Sequence, residues 1–179
     1  LDTPRLGARV ALRPLTQSDS PTLVQLANDR TIADTMISVP HPFTANDARA
    51  LIAAARDVAN QYFGVHLRAG DSLVGVAAMR DIDREHAQGE LSFWIGRPYW
   101  GQGLASDAGA TLLHYAFGDL DLNRVVAYHM LRNPASGQVL AKLGFQREGV
   151  LRQRVRKWGV VEDVAALALL RHEYEAANR

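Results

Sequence analysis

Two glycines, Gly101 and Gly103, stand between a short apolar stretch, Leu91 to Ile95, and a long helical pattern, Gly103 to Phe117. Glycine admits positive φ and lets another group approach the backbone closely. A helix start presents unpaired N–H groups and the positive end of the macrodipole. The run Arg97-Pro-Tyr-Trp-Gly-Gln-Gly-Leu-Ala-Ser106 therefore reads as a phosphate cradle. It lacks the Lys-Ser/Thr of a P-loop and the Gly-x-Gly-x-x-Gly of a dinucleotide fold. The six histidines, His41, His66, His86, His114, His129 and His172, show no metal-ligand spacing, and no metal is expected. The chain has no cysteine, which removes disulfides, thiolate zinc sites and a cysteine nucleophile, and fits a reducing compartment.

The elements that must hold this cradle follow from pattern. Arg9 to Leu15 alternates like a strand. Ser18 to Asn28 reads as a helix with Pro21 in its first turn, and a short helical piece follows over Asp29 to Met36. Prolines on both sides of His41 make Val39 to Phe43 a loop. Thr44 caps a helix predicted to reach about Asn60, with Asp47 at its third position. Tyr62 to Arg68 and Ser72 to Asp81 form a hairpin across Gly70. Strands are expected at Glu90 to Ile95, Arg124 to Met130, Phe145 to Arg152 and Val160 to Leu170, with a helix over Pro134 to Leu143 closed by Gly144. The 179 residues, 47% hydrophobic and 22% charged, suit a single mixed αβ domain over 1–179. A net charge of +1 gives no global pull toward nucleic acid or a membrane surface. No apolar run is long enough to cross a bilayer and no signal-peptide pattern opens the chain, so a cytoplasmic location is the default expectation.

Four pieces in order, Glu90-Leu-Ser-Phe-Trp-Ile95, Trp100-Gly-Gln-Gly-Leu-Ala105, Asn133-Pro-Ala-Ser136 and Lys142-Leu-Gly-Phe145, resemble the GCN5-related N-acetyltransferase (GNAT) family. The resemblance is narrower to the branch of the ribosomal-protein N-terminal acetyltransferases RimJ and RimL. It implies an α/β GNAT fold: a central mixed, mostly antiparallel sheet with flanking helices, and a splayed strand pair that holds acetyl-CoA. The family's pyrophosphate loop reads Gln/Arg-x-x-Gly-x-Gly/Ala. Here Gly103 and Ala105 fill its last two marked positions, and Trp100 stands in place of Gln or Arg. The resemblance implies pyrophosphate on the amides from Gln102 through Leu104 and Ala105 to Ser106, beside Gly101. It implies pantetheine along the backbone of Phe93, Trp94 and Ile95, and a hydrogen bond from Asn133 to the ligand.

Acetyl transfer needs a neutral amine, yet α-amino groups titrate near ~8 and lysine amines near ~10.4. A base must take a proton directly or through water, the oxyanion needs N–H donors, and the leaving thiolate needs a proton or hydrogen bond. Glu90 stands where many relatives carry a catalytic glutamate, so it is the candidate base; a solvated charge at a strand end competes with that reading. Many relatives place a tyrosine acid where this chain has Leu140, and the RimL likeness offers Ser136 instead. Ser136 could equally be a helix-start residue satisfying backbone groups. Tyr99 and Tyr128 are expected as core aromatics with hydroxyls at the edge, Trp94 as core, and His114 as packed or solvated. His41 would border the acceptor cleft. Arg147, Arg152, Arg154, Arg156 and Lys157 read as a solvated basic face, with an acidic acceptor or the ribosome as the sharper alternative. Trp158 lines an acceptor groove or packs. Three functions compete: acetylation of a protein N-terminus, acetylation of a small amine (polyamine, amino acid or antibiotic), and non-catalytic acyl-CoA binding. The branch implies a monomer or homodimer.

Overall fold

The structure is a computed structural model that describes residues 3–178. Among the described residues eight strands form one sheet in the order β1-β2-β3-β4-β5-β6-β8-β7. The strands are β1 (Arg5–Leu6), β2 (Val10–Pro14), β3 (Gln61–Leu67), β4 (Leu73–Asp83), β5 (Gln88–Ile95), β6 (Arg124–Met130), β7 (Gln146–Lys157) and β8 (Val160–Leu170). Every neighbouring pair is antiparallel except β5 and β6, which run parallel. The β4 run Leu73 to Met79 is buried without a break, as a strand covered on both faces must be.

One face is covered by α4 (Leu104–Phe117), whose Leu104, Ala108, Leu112 and Leu113 pack on Leu12, Val65, Met79 and Leu91. The other carries α1 (Ser20–Ala27), α2 (Arg30–Thr35) and α3 (Ala45–Ala54), with Leu23, Ile32 and Ile52 against Val76 and Trp94. Asp29 caps α2 by accepting the Thr31 N–H at 2.7 Å, and Asp47 accepts the Thr44 N–H at 2.7 Å in the predicted capping box of α3. The third helix ends at Ala54 rather than near Asn60. There the Asp57 carboxylate accepts the N–H groups of Ala59 and Asn60 at 2.8 and 3.0 Å and turns the chain into β3. The strand expected over Phe145 to Arg152 continues to Lys157. Two elements are additional, β1 and a closing helix α6 (Arg171–Ala177).

The parallel pair is bonded for only three register positions, Gln88 with Arg124, Gly89 with Val125 and Glu90 with Val126. Beyond Glu90 the strands part. On its far side β5 stays paired with β4, Ser92 opposite Ala78 and Ile95 opposite Gly75. A fork therefore opens in the middle of the sheet. The loop Gly96 to Gly103 and α4 leave from the end of β5, and α5 (Pro134–Lys142) follows the end of β6.

Candidate active site

The Gly96 N–H donates to the Val74 carbonyl at 2.7 Å, which sets the phase of the β4–β5 ladder. By antiparallel alternation, Trp94 turns its peptide groups toward β4, and Phe93 and Ile95 turn theirs into the fork. Trp94 itself is core, as expected. The Trp100 indole N–H donates to the Ile95 carbonyl at 2.6 Å, tying the glycine loop back to the open strand edge. That bond gives the residue in the family's Gln/Arg position a local structural role.

Gly101 and Gly103 have φ of 73° and 74°, the left-handed region that side chains disfavour. A Cβ on Gly101 would meet nothing within 4 Å, and one on Gly103 would come only within 4.0 Å of the Arg9 guanidinium. Arg9 also donates to the Gln102 carbonyl. No side chain caps α4, so the first N–H groups of that helix are left for a ligand. The loop is braced from behind by Asp107, whose carboxylate accepts the N–H groups of Ala8, Arg9 and Val10 at 3.0, 2.7 and 2.9 Å. This cradle and the fork form one cleft of about 430 Å³, lined by Phe93, Trp94, Ile95, Gly101 to Ser106, Asn133 and Ser136. An open helix N-terminus, two left-handed glycines and a free strand edge fit a ligand made of pyrophosphate and an amide-bearing arm.

Phe93 and Ser136 also line a second chamber, which contains Glu90, Arg80, Tyr128, His129 and Arg154. Glu90 is the last residue bonded across the fork, and its side chain is 19% exposed. Burial holds its carboxyl above the usual glutamate range, against the lowering pull of Arg80; nearby Asp81 raises it further and Arg154 lowers it. A solvated strand-end charge does not describe this group. Ser136 sits in the first turn of α5, whose N-cap is Asn133. The buried Asn133 Nδ2 donates to Ser136 Oγ at 2.8 Å and to the Thr35 carbonyl at 3.3 Å. Its Oδ1 accepts the Ser136 N–H at 3.5 Å, and Asn133 lines the glycine cleft together with Ser136. The two expected acid–base residues thus share a chamber that opens into the cradle.

Several expectations need correction. Tyr128 is 38% exposed and lines the chamber instead of the core, because it lies on β6 beyond the fork, where no strand covers that edge. Lys157 does not belong to the exposed basic face with Arg147, Arg152, Arg154 and Arg156. It is buried, and its ammonium donates to the Met36 and Val39 carbonyls at 2.9 and 2.8 Å. Burial pulls its pKa down. Trp158 is exposed beneath the Arg30 guanidinium, 4.6 Å from the ring centre. His41 and His114 are exposed, and Tyr99 packs half-buried between the two cores.

Arg80 was missed from the sequence. The signal was an arginine closing the apolar run Val74 to Met79, directly opposite Glu90. A third chamber, beneath the loop 36–43 and α3, joins the Glu90 chamber through Met36, Ser38, Arg80, Ser92 and Phe93.

Residues 9–146 match the acetyltransferase (GNAT) domain family. The uncharacterised N-acetyltransferase p20 of Bacillus licheniformis is 33% identical over 172 residues, spanning 93% of this chain and 95% of that protein. The ribosomal-protein-serine acetyltransferase of Escherichia coli K12 is 34% identical over 83 residues, 46% of each chain. The crystal structure of spermidine N-acetyltransferase from Vibrio cholerae with CoA and spermine shares the fold, with a TM-score of 0.84 at 24% identity over 94% of this chain and 99% of that one. The domain match and the near full-length likeness to p20 carry the assignment: the chain belongs to the GNAT family and is an acetyl-CoA-dependent N-acetyltransferase.

Proposed function

We propose that this enzyme acetylates a primary amine by direct attack, with Glu90 as general base and Ser136 as hydrogen-bond donor to the leaving sulfur. The observation that carries this reading is the placement of both residues in one chamber that opens through Phe93 and Ser136 into the glycine cleft. Acetyl-CoA supplies the activated acetyl thioester. The amides of Gln102 to Ser106 hold its pyrophosphate, and the Phe93 and Ile95 edge of β5 pairs with its pantetheine arm. The N–H groups on that edge are also the donors nearest to hand for the oxyanion. Glu90, held above the usual range by burial and therefore the more basic for it, accepts the amine proton. Asn133 donates to Ser136 Oγ, which leaves the serine hydroxyl proton to face the cleft. The first turn of α5 adds its positive dipole end beside the leaving thiolate.

The acceptor we propose is a protein N-terminal amine, as the RimJ/RimL resemblance implies; the Escherichia coli relative is named a ribosomal-protein-serine acetyltransferase. Such an acceptor would place the enzyme in the cytoplasm. A small amine is the second reading, favoured by the chamber beneath the loop 36–43, lined by Val39, Phe43, Leu51 and Tyr62, that joins the Glu90 chamber. Thiol release should be followed with N-terminal peptides and with free small amines at saturating acetyl-CoA. Turnover of peptides above free amines supports the first reading, and the reverse order supports the second. Loss of turnover in Glu90→Gln without loss of acetyl-CoA binding supports the base assignment; unchanged turnover overturns it.

A further inference from the structure

We propose that Arg80 is the anion-recognition group of the acceptor site, and that the acceptor carries a carboxylate within a few bonds of its reacting amine. The proposal rests on Glu90 marking the place where that amine is deprotonated.

Arg80 lies opposite Glu90 across the β4–β5 ladder, so the two side chains emerge on the same face of the sheet. The register breaks immediately after Arg80, between Arg80 and Asp83, and Asp81 has a φ of 47°. Such irregularities re-aim side chains beside functional sites. The guanidinium reaches the junction of the Glu90 chamber and the chamber beneath the loop 36–43, and lines both.

Among the described residues its guanidinium donates no hydrogen bond and makes one long ion pair, with Glu90. Among the described residues the nearest anionic partner is the Glu90 carboxylate at 3.7 Å, beyond hydrogen-bond distance, and the buried Nε has no partner at all. The side chain is 27% exposed, so water does not satisfy the whole fork. A partly desolvated guanidinium with free donors is a site for a planar oxyanion, which it binds in bidentate fashion. By contrast, Arg132 is fully committed, donating to Glu162 at 2.7 Å and to the Asp34 carboxylate at 2.9 Å.

The charges around the junction point the same way. Arg80 and Arg154 are the cations lining the two chambers, and Glu90 and Asp47 the anions. Asp47 is held by the Thr44 hydroxyl at 2.6 Å and by the Thr44 N–H at 2.7 Å at the start of α3. A polyamine would need several free carboxylates and would meet two arginines instead. An acceptor with its amine on Glu90 and its carboxylate on Arg80 completes the pair that the protein leaves 3.7 Å apart. A free amino acid provides that chemistry, and so does a peptide with an acidic side chain at its N-terminal end.

The test uses acceptor pairs that differ only in the carboxylate, at saturating acetyl-CoA. Free amino acids are compared with their carboxamides, and peptides beginning with Asp or Glu with the Asn or Gln equivalents. In the unmodified enzyme the carboxylate member should be favoured about 10- to 100-fold in kcat/KM. Arg80→Gln should remove most of that preference through KM, and Arg80→Lys should recover part of it. Acetyl-CoA affinity, measured for each variant, reports that the fold is intact. A preference confined to free amino acids or to peptides identifies the source of the carboxylate. Equal rates within the pairs, a preference that survives Arg80→Gln, or better turnover of spermidine than of any carboxylate acceptor would overturn the proposal. So would an Arg80→Gln effect that is the same for both members of a pair and moves only the pH profile. Failure of the Glu90 assignment shows separately, as a Glu90→Gln variant that still turns over the carboxamides.

Discussion

Asn133 donates through Nδ2 to the Ser136 hydroxyl oxygen across 2.8 Å, from a buried position that also reaches the Thr35 carbonyl. The same amide therefore occupies one lone pair of the Ser136 oxygen, leaves its proton for another acceptor, and ties α5 to the end of α2. Ser136→Ala is expected to lower kcat by about 10- to 100-fold, the value of one hydrogen bond to a charged leaving group. Asn133→Ala should lower kcat similarly and also destabilise the protein, because the half-buried Thr35 carbonyl loses its donor and α5 its N-cap. Single-turnover rates and urea melts on the two variants separate these effects. Equal stability of the two would contradict the bracing role.

Removal of the Glu90 charge has opposite consequences for rate and stability. The Glu90 carboxyl is raised by burial, so its native pKa lies above its unfolded value. A group shifted in that direction contributes stability below the unfolded pKa and loses it as pH rises through the native one. Glu90→Gln should thus match the parent in Tm at low pH and exceed it above that window. The rise of kcat/KM with pH that reports the base should disappear in the same variant. An unchanged pH–rate profile would remove Glu90 from its role.

Acetyl-CoA affinity should depend on the backbone of the loop far more than on the indole beside it. Gly103 sits at φ 74°, where a β-branched side chain is strained and would intrude on the open helix end. Trp100→Phe loses one hydrogen bond to the Ile95 carbonyl, worth roughly 0.5–1.5 kcal/mol. Calorimetry should show Gly103→Val weakening acetyl-CoA binding well beyond Trp100→Phe. Equal losses would contradict a cradle made of amides.

Lys157→Met would leave the Met36 and Val39 carbonyls without their donor and loosen the roof of the acceptor chambers. An unsatisfied buried polar group costs about 1–3 kcal/mol. The variant is expected to lose that much in urea unfolding and to raise KM for the acceptor, with little change in acetyl-CoA affinity. A rise confined to acetyl-CoA would place the lysine in the wrong half of the site.

What the sequence disclosed and what it hid divide along the range of the interactions. The caps at Asp29 and Thr44 are written in adjacent residues, and the glycine cradle lies within one turn of chain. The end of α3 at Ala54, short of the expected Asn60, has a local cause, the Asp57 turn, which a helical periodicity does not register. The two-residue β1 is too short to carry a pattern, and α6 begins directly after β8 with no intervening turn residue to announce it. Lys157 looked exposed because its neighbours are arginines, whereas its partners Met36 and Val39 lie far away in the chain. Arg80 was hidden for the same reason, since its pairing with Glu90 depends on the β4–β5 register. The family likeness carried the fork itself; no local spacing reveals where two parallel strands stop pairing.

That fork has a bearing on solubility as well as chemistry. An unpaired strand edge ordinarily invites a foreign strand, and proteins guard such edges with charge, bulges or covering segments. Here the open edges of β5 and β6 beyond Glu90 and Val126 face one another inside a single sheet. Their hydrogen-bonding groups are shielded from the flat approach that fibril growth requires. The parting of the two strands thus leaves ladder groups unpaired without advertising them to other copies of the chain.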